Sequence, residues 1–156
     1  MIFVDTNIIY NTIFETRFTD YALGFLERSR RLTTSATVIH ELIYVTVRDL
    51  CEERYGTKNN LAFRKKIAAE GYAPFQKDID RLFQFIDSTG ISLVPVNNDL
   101  EDWKAILLKY RLLPYDALIA STCLFNRINK IATFDMDFKR VDFLEVVMPA
   151  QRSPET

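Results

Sequence analysis

Short apolar runs that stop at an acidic residue alternate in this chain with much longer stretches of helical periodicity, and that alternation constrains the fold most. Residues 2–4 (Ile-Phe-Val) form such a run, halted by Asp5, and read as a buried strand. Asp5-Thr6-Asn7 then offers N-cap chemistry to a helix beginning near Ile8. A helix over 19–30 buries Tyr21, Ala22, Phe25 and Leu26, a short strand covers 30–35, and a helix over 36–54 carries Val38, Leu42 and Val45 on one face. Residues 78–88 are amphipathic through Ile79, Leu82, Phe83 and Ile86, with Gly90 closing the helix. Residues 91–96 are β-rich, 99–110 are helical, and Pro114 opens a helix to about Asn126. Strands over 131–134 and 144–147 complete the series. Strand and helix in alternation predict βαβ units, hence an α/β fold with a parallel sheet covered on both faces. Ligands of such sheets bind beyond the carboxyl ends of the strands, at the topological switch point. The residues at those ends here are acidic.

Composition supports one domain. The 156 residues are 48% hydrophobic and 26% charged, which excludes a disordered, collagen-like or coiled-coil chain. With 20 basic and 21 acidic residues the net charge of −1 exerts no overall pull on a polyanion or membrane surface. Two cysteines, Cys51 and Cys123, are too few for a disulfide framework and read as reduced, packed thiols. The opening MIFVDTN lacks a basic leader, and no apolar run approaches the ~20 residues of a membrane helix. A cytoplasmic protein is expected, with a domain over 1–150, a polar and basic helical excursion at 52–77, and a frayed polar tail at 151–156. The stripe of Leu82, Phe83 and Ile86 reads as core or dimer interface.

Much chemistry is excluded by what is missing. Neither G-x-G-x-x-G nor G-x-x-x-x-G-K-[ST] occurs, so dinucleotide and P-loop readings have no support. The single histidine, His40, lies in His-Glu-Leu-Ile-Tyr, where a zincin needs a second histidine at Tyr44. No G-x-S-x-G elbow accompanies it, and no CxxC pair is present. Oxygen ligands remain. Asp5 follows the first strand and doubles as a helix cap. Glu41 lies beside an apolar helical stripe, where a carboxylate is costly unless a cation, a proton or an ion pair compensates. Asp116 falls in the first turn after Pro114, where the helix dipole also favours an anion. Asp135 ends a strand, with Asp137 as the rival for its role and a turn as the plainer reading of either. Gathered at one sheet edge, these carboxylates would repel one another unless a divalent cation neutralised them. An all-oxygen set suits Mg²⁺ or Mn²⁺ over zinc, and such an ion serves phosphodiester hydrolysis.

Asp5-Thr6-Asn7 after the first strand, Glu41 in a helix preceded by Thr33-Thr34-Ser35, Asp116 in Tyr-Asp-Ala-Leu-Ile-Ala, and Thr133-Phe134-Asp135-Met136-Asp137-Phe138 resemble the four acidic motifs of PIN-domain ribonucleases. The resemblance is closest to the small VapC-type toxins of toxin–antitoxin pairs. It implies a three-layer sandwich with a mostly parallel sheet of about five strands, and a Mg²⁺- or Mn²⁺-dependent endoribonuclease leaving a 5′-phosphate and a 3′-hydroxyl. By the same resemblance Asp5, Glu41, Asp116 and Asp135 form the catalytic, metal-binding quartet, with Asp137 a further candidate ligand and Thr6, Asn7 and Thr133 in support. It also implies a homodimer and an antitoxin whose tail enters the active-site groove. Lys139 and Arg140, just after the fourth motif, are candidates for the RNA strand, whereas Arg64-Lys65-Lys66 reads better as a solvated helix face.

Other readings start from the same residues. A phosphoacceptor aspartate of the haloacid-dehalogenase kind needs a second aspartate where Asn7 stands, and a receiver domain needs a lysine after a late strand, whereas Lys130 precedes one. A PIN-like module that binds RNA or a partner without cutting would leave its carboxylates repelling one another to no purpose. DNA flap cleavage would call for threading elements that the chain does not resemble.

Overall fold

The structure is a computed structural model describing residues 1–147; the predicted tail at 151–156 and the end of the 1–150 span lie outside the described residues. Five strands, β1 (Ile2–Val4), β2 (Leu32–Ser35), β3 (Ser92–Val94), β4 (Lys130–Ala132) and β5 (Glu145–Val147), form one sheet in the order β3-β2-β1-β4-β5. Every pairing is parallel. The helices are α1 (Thr6–Ile13), α2 (Thr19–Arg28), α3 (Ala36–Tyr55), α4 (Asn60–Glu70), α5 (Gln76–Thr89), α6 (Leu100–Tyr110) and α7 (Pro114–Phe125), with 3₁₀ turns at Ala73–Phe75 and Met136–Arg140.

Strand order sets the layers. The chain moves one way along the sheet from β1 to β2 and the other way from β3 to β4. Crossovers between parallel strands are right-handed, so this reversal puts α1 and α2 on one face and α6 and α7 on the other. It also makes the gap between β1 and β4 the switch point, with Asp5 and Thr133 at its carboxyl end. Phe3, Val4, Ile131 and Ala132 are fully buried, as strands covered on both faces require.

The chain divides into two compact units, residues 1–39 with those from 91 onward, and residues 40–90. The first holds the sheet with α1, α2, α6, α7 and the first turn of α3. Local chemistry sets its helix starts: Asp5 caps α1, the Asp99 carboxylate accepts from the N–H groups of Glu101 and Asp102 at the start of α6, and Pro114 stands at the first position of α7. The second unit holds the rest of α3 with α4 and α5. Leu42, Val47, Leu50, Cys51, Phe63, Phe75, Leu82 and Ile86 are buried there, and Arg54 on α3 makes paired hydrogen bonds of 2.8 and 2.9 Å to Asp78 on α5. The stretch at 52–77 holds the end of α3, α4, the Ala73–Phe75 turn and the start of α5, within a compact unit that reaches from His40 to Gly90. Gly90 ends α5 with φ 68°, the left-handed cap read from the sequence. Phe83 is exposed beside buried Leu82 and Ile86, so the predicted stripe divides between core and surface.

Strand β4 is shorter than the periodicity predicts, stopping at Ala132. The reason is chemical. The Phe134 N–H donates to the Asn7 side-chain oxygen at 3.0 Å, and the Asp135 N–H donates to the Thr133 hydroxyl at 2.9 Å. Residues after Ala132 thus give their hydrogen bonds to side chains instead of to the sheet.

Candidate active site

The site grows from the last residue pair of β1 and β4. The Asp5 N–H donates to the Ala132 carbonyl at 3.0 Å, which brings the two strand ends together just where each chain turns away. Asp5 is buried, and its carboxylate is held on both oxygens. Oδ1 accepts from the Thr6 N–H at 2.7 Å, while Oδ2 accepts from the Asn7 amide at 2.9 Å and from the Thr133 hydroxyl at 2.6 Å. These donors are neutral. They fix the direction of the carboxylate and leave its charge in place, an arrangement expected to attract a cation.

Thr133 is the junction. Its fully buried hydroxyl donates to Asp5 and accepts both from the Asn7 amide at 2.9 Å and from the Asp135 N–H at 2.9 Å. One side chain therefore links the first and fourth acidic motifs, 128 positions apart. Asp135 in turn caps the Met136–Arg140 turn, accepting from the Asp137 N–H at 2.8 Å, and Phe138 anchors that turn in the core. Asp135 is half-buried, whereas Asp137 is exposed and pairs with Arg140 at 2.6 Å. The rivalry left open by the sequence thus has two different geometries: Asp135 adjoins the Thr133 junction, and Asp137 faces solvent with a cation of its own. Lys139 and Arg140 are both exposed.

Asp116 lies in the first turn of α7, half-buried. The hydroxyl of the preceding Tyr115 donates to the Thr37 carbonyl, which fastens the start of α7 to the segment leaving the carboxyl end of β2. Further along α7, burial pushes the Cys123 thiol up, and the negative charge of Asp5 adds to that rise. Cys123 and Asp116 are seven residues apart and so share a helix face. Glu41 belongs to the second unit, where it is half-buried in α3 next to fully buried Leu42.

Among the described residues, no three Asp, Glu, His or Cys side chains form a ready-made cage for a metal ion. One group escaped the sequence reading. The Ser35 hydroxyl, fully buried at the carboxyl end of β2, has no hydrogen-bond partner. Phe3 pairs with Thr33, so two residues on, Ser35 stands level with Asp5. Only the position of Ser35 after two strand threonines hinted at it, and serine there is also a plain helix start.

A buried, oriented aspartate at the switch point, joined through a threonine to a second acidic turn, forms the centre of the site. Residues 2–144 match the PIN domain, and the chain belongs to the PIN-domain family. It is 37% identical over 112 residues to Ribonuclease VapC2 of Methanocaldococcus jannaschii, covering 70% of this chain and 67% of that protein. The fold is shared with the Mycobacterium tuberculosis toxin VapC20, described as cleaving the sarcin–ricin loop, at 20% identity and TM-score 0.62, over 94% of this chain and 98% of that one. It is shared also with a chain of Rickettsia felis VapBC2 bound to a promoter DNA fragment, at 18% identity and TM-score 0.61, over 95% and 98% of the two chains. In the described residues no helix is long and apolar enough to cross a membrane.

Proposed function

We propose that this chain is an endoribonuclease of the VapC type, dependent on Mg²⁺ or Mn²⁺ and held in check by an antitoxin. The observation that carries the reading is the Thr133 hydroxyl, which donates to buried Asp5 while accepting the Asp135 N–H. The residues present fit a hard divalent ion in their donor chemistry: Asp5, Asp116 and Asp135 offer oxygen only, and the orphaned Ser35 hydroxyl is a further oxygen at the same sheet edge. A pre-formed protein cage is not required, since Mg²⁺ is commonly held by one or two carboxylates, with water and phosphate oxygens completing its octahedron. Asp5 and Asp116 would hold the ion, with Asp135 the further carboxylate of the same unit and exposed, Arg140-paired Asp137 the weaker candidate. When bound, the ion supplies positive charge to a phosphoryl oxygen and acidifies water.

The chain's own residues supply orientation. Thr6, Asn7 and Thr133 hold the Asp5 carboxylate in one direction, so little reorganisation is needed when an anionic substrate arrives. Asp135, fixed by the Thr133 junction and by its own cap, would orient an attacking water. The proposal includes a homodimer and an antitoxin; the antitoxin is supported by the structurally similar chain of Rickettsia felis VapBC2.

The direct test is RNA cleavage by the purified chain with Mg²⁺, with EDTA, and after Mg²⁺ is restored. Cleavage that stops with the chelator and returns with the ion is expected. Undiminished cutting in EDTA overturns the metal assignment, and binding without cutting in any metal favours an idle RNA- or partner-binding module.

A further inference from the structure

The loop between α1 and α2 is fastened to the site by contacts outside the acidic cluster. Asn7, which donates to Asp5, offers its carbonyl to the Asn11 amide at 2.5 Å, and the Asn11 oxygen accepts from the Thr16 hydroxyl. That hydroxyl accepts the Phe18 N–H at 3.0 Å, while Thr19 accepts the Thr16 N–H at 2.8 Å and donates to the Phe14 carbonyl at 3.1 Å. Held this way, Phe18 stacks on Phe134 with ring centroids 4.6 Å apart and planes 25° apart. The circuit closes because the Phe134 N–H returns to Asn7. The guanidinium of exposed Arg17 lies 4.6 Å from the Phe18 centroid. A ring and a guanidinium cannot both occupy one face at such distances, so Phe18 is sandwiched and Arg17 forms the outer layer.

We propose that Arg17 is a substrate-binding residue, taking the phosphate of a nucleotide that flanks the scissile bond and stacking that nucleotide's unpaired base on its outer face. This rests on the ribonuclease reading above. A near-neutral chain with an acidic centre needs a local cation for its polyanion. Of the two sequence candidates, Arg140 already pairs with Asp137 at 2.6 Å, and exposed Lys139 stands beside it on the same short turn. Arg17 is held instead by an aromatic face, which occupies one side of the guanidinium plane and leaves its N–H edge for phosphate and its other side for a base. Fixed by the circuit, it loses little side-chain freedom on binding. A groove of about 610 Å³ runs on from Arg17 along α2, with Asp20, Glu27 and Arg28 also in its lining, so its charge is mixed beyond Arg17.

The test uses Asp5→Asn protein, expected to hold RNA without cutting it, and fluorescence anisotropy of a labelled single-stranded RNA oligonucleotide across a salt series. Adding Arg17→Ala is expected to weaken binding about tenfold and to lower the slope of log K against log salt by about 0.7, the contribution of one single-strand phosphate. Arg17→Lys should keep the slope and lose part of the affinity, and an oligonucleotide abasic at the flanking position should erase the difference between Arg and Lys. In the cutting enzyme Arg17→Ala should raise KM with kcat nearly unchanged. A natively folded Arg17→Ala protein with the original affinity overturns the proposal, and so does lost affinity at an unchanged slope. EDTA-sensitive cleavage with an indifferent Arg17 would sink this proposal alone. Weakened binding by Arg17→Ala in a chain that never cuts would sink the nuclease reading, and with it the scissile bond beside which this proposal places Arg17.

Discussion

Two aspartates of the sheet-bearing unit, each held by several hydrogen bonds, sit in opposite electrostatic settings. At the far edge Asp142 accepts from the Lys109 ammonium at 2.9 Å and the Tyr110 hydroxyl at 2.5 Å, Lys109 also donates to Tyr110 at 2.8 Å, and Phe143 meets the Tyr110 ring edge-on. The Lys109–Asp142 pair lies in water above the buried Tyr110 and brings its own cation. Lys109 first, then Tyr110, holds the Asp142 carboxyl below its usual range, while Lys109 is pushed up chiefly by Asp142. Asp5 is buried, and the donors described on it, Thr6, Asn7 and Thr133, are neutral. Two similar bond counts thus give different results. The Asp142 group is a charge-balanced clamp between α6 and the segment before β5. The Asp5 group is a buried carboxylate oriented by hydrogen bonds at the switch point, the arrangement on which the proposed activity rests.

Asp5→Asn is the most severe way to break the contrast, because it removes the charge and keeps the shape. RNA cleavage should fall by far more than the about 10- to 100-fold that a supporting residue costs, with near-native circular dichroism and an unchanged or raised melting temperature. Measured turnover at the wild-type rate would dissolve the distinction between the two aspartates.

Thr133→Val comes next. The valine fills the space but offers neither a proton to Asp5 nor an acceptor to the Asp135 N–H, so activity should drop about 10- to 100-fold. Unfolding by urea should also show a loss of about 1–3 kcal/mol from the unpaired groups. Thr133→Ser, which restores the hydroxyl, should recover most of both. If valine and serine behave alike, the junction is packing only.

The sequence was informative wherever structure is set within a few residues. Asp5 as a cap, Pro114 at the start of α7 and Gly90 at the end of α5 are local decisions, made by side chains next to the backbone they satisfy. The early end of β4 was not legible, because Asn7, 127 positions from Phe134, supplies the acceptor that takes the chain out of the sheet. The Arg17–Phe18–Phe134 stack was hidden for the same reason: an Arg-Phe pair in a loop gives no sign of the aromatic it will meet. At the acidic site, the motif order along the chain pointed to four carboxylates. Nothing in it could reveal that Thr133 joins the first motif to the fourth, or that Asp137 would be drawn off by Arg140.

The mildest perturbation sharpens the comparison from its other side. Asp142→Asn should leave RNA cleavage unchanged and reshape only the pH dependence of stability. Because the folded Asp142 carboxyl is held below its unfolded value, its contribution is complete above that value, near pH 4, and is lost as pH falls through the lower folded one. Lys109 mirrors this: raised in the folded state, it contributes fully below the unfolded lysine value, about 10.4, and loses that contribution as pH climbs toward the higher folded one. Melting curves of wild type and Asp142→Asn should therefore lie furthest apart between those limits and converge in acid. Since the Lys109–Asp142 pair is exposed, the separation should also shrink as salt is added. A gap that persisted unchanged below pH 3 would mean that Asp142 acts through packing and not through its charge, and the clamp would no longer be the charge-balanced counterpart of Asp5.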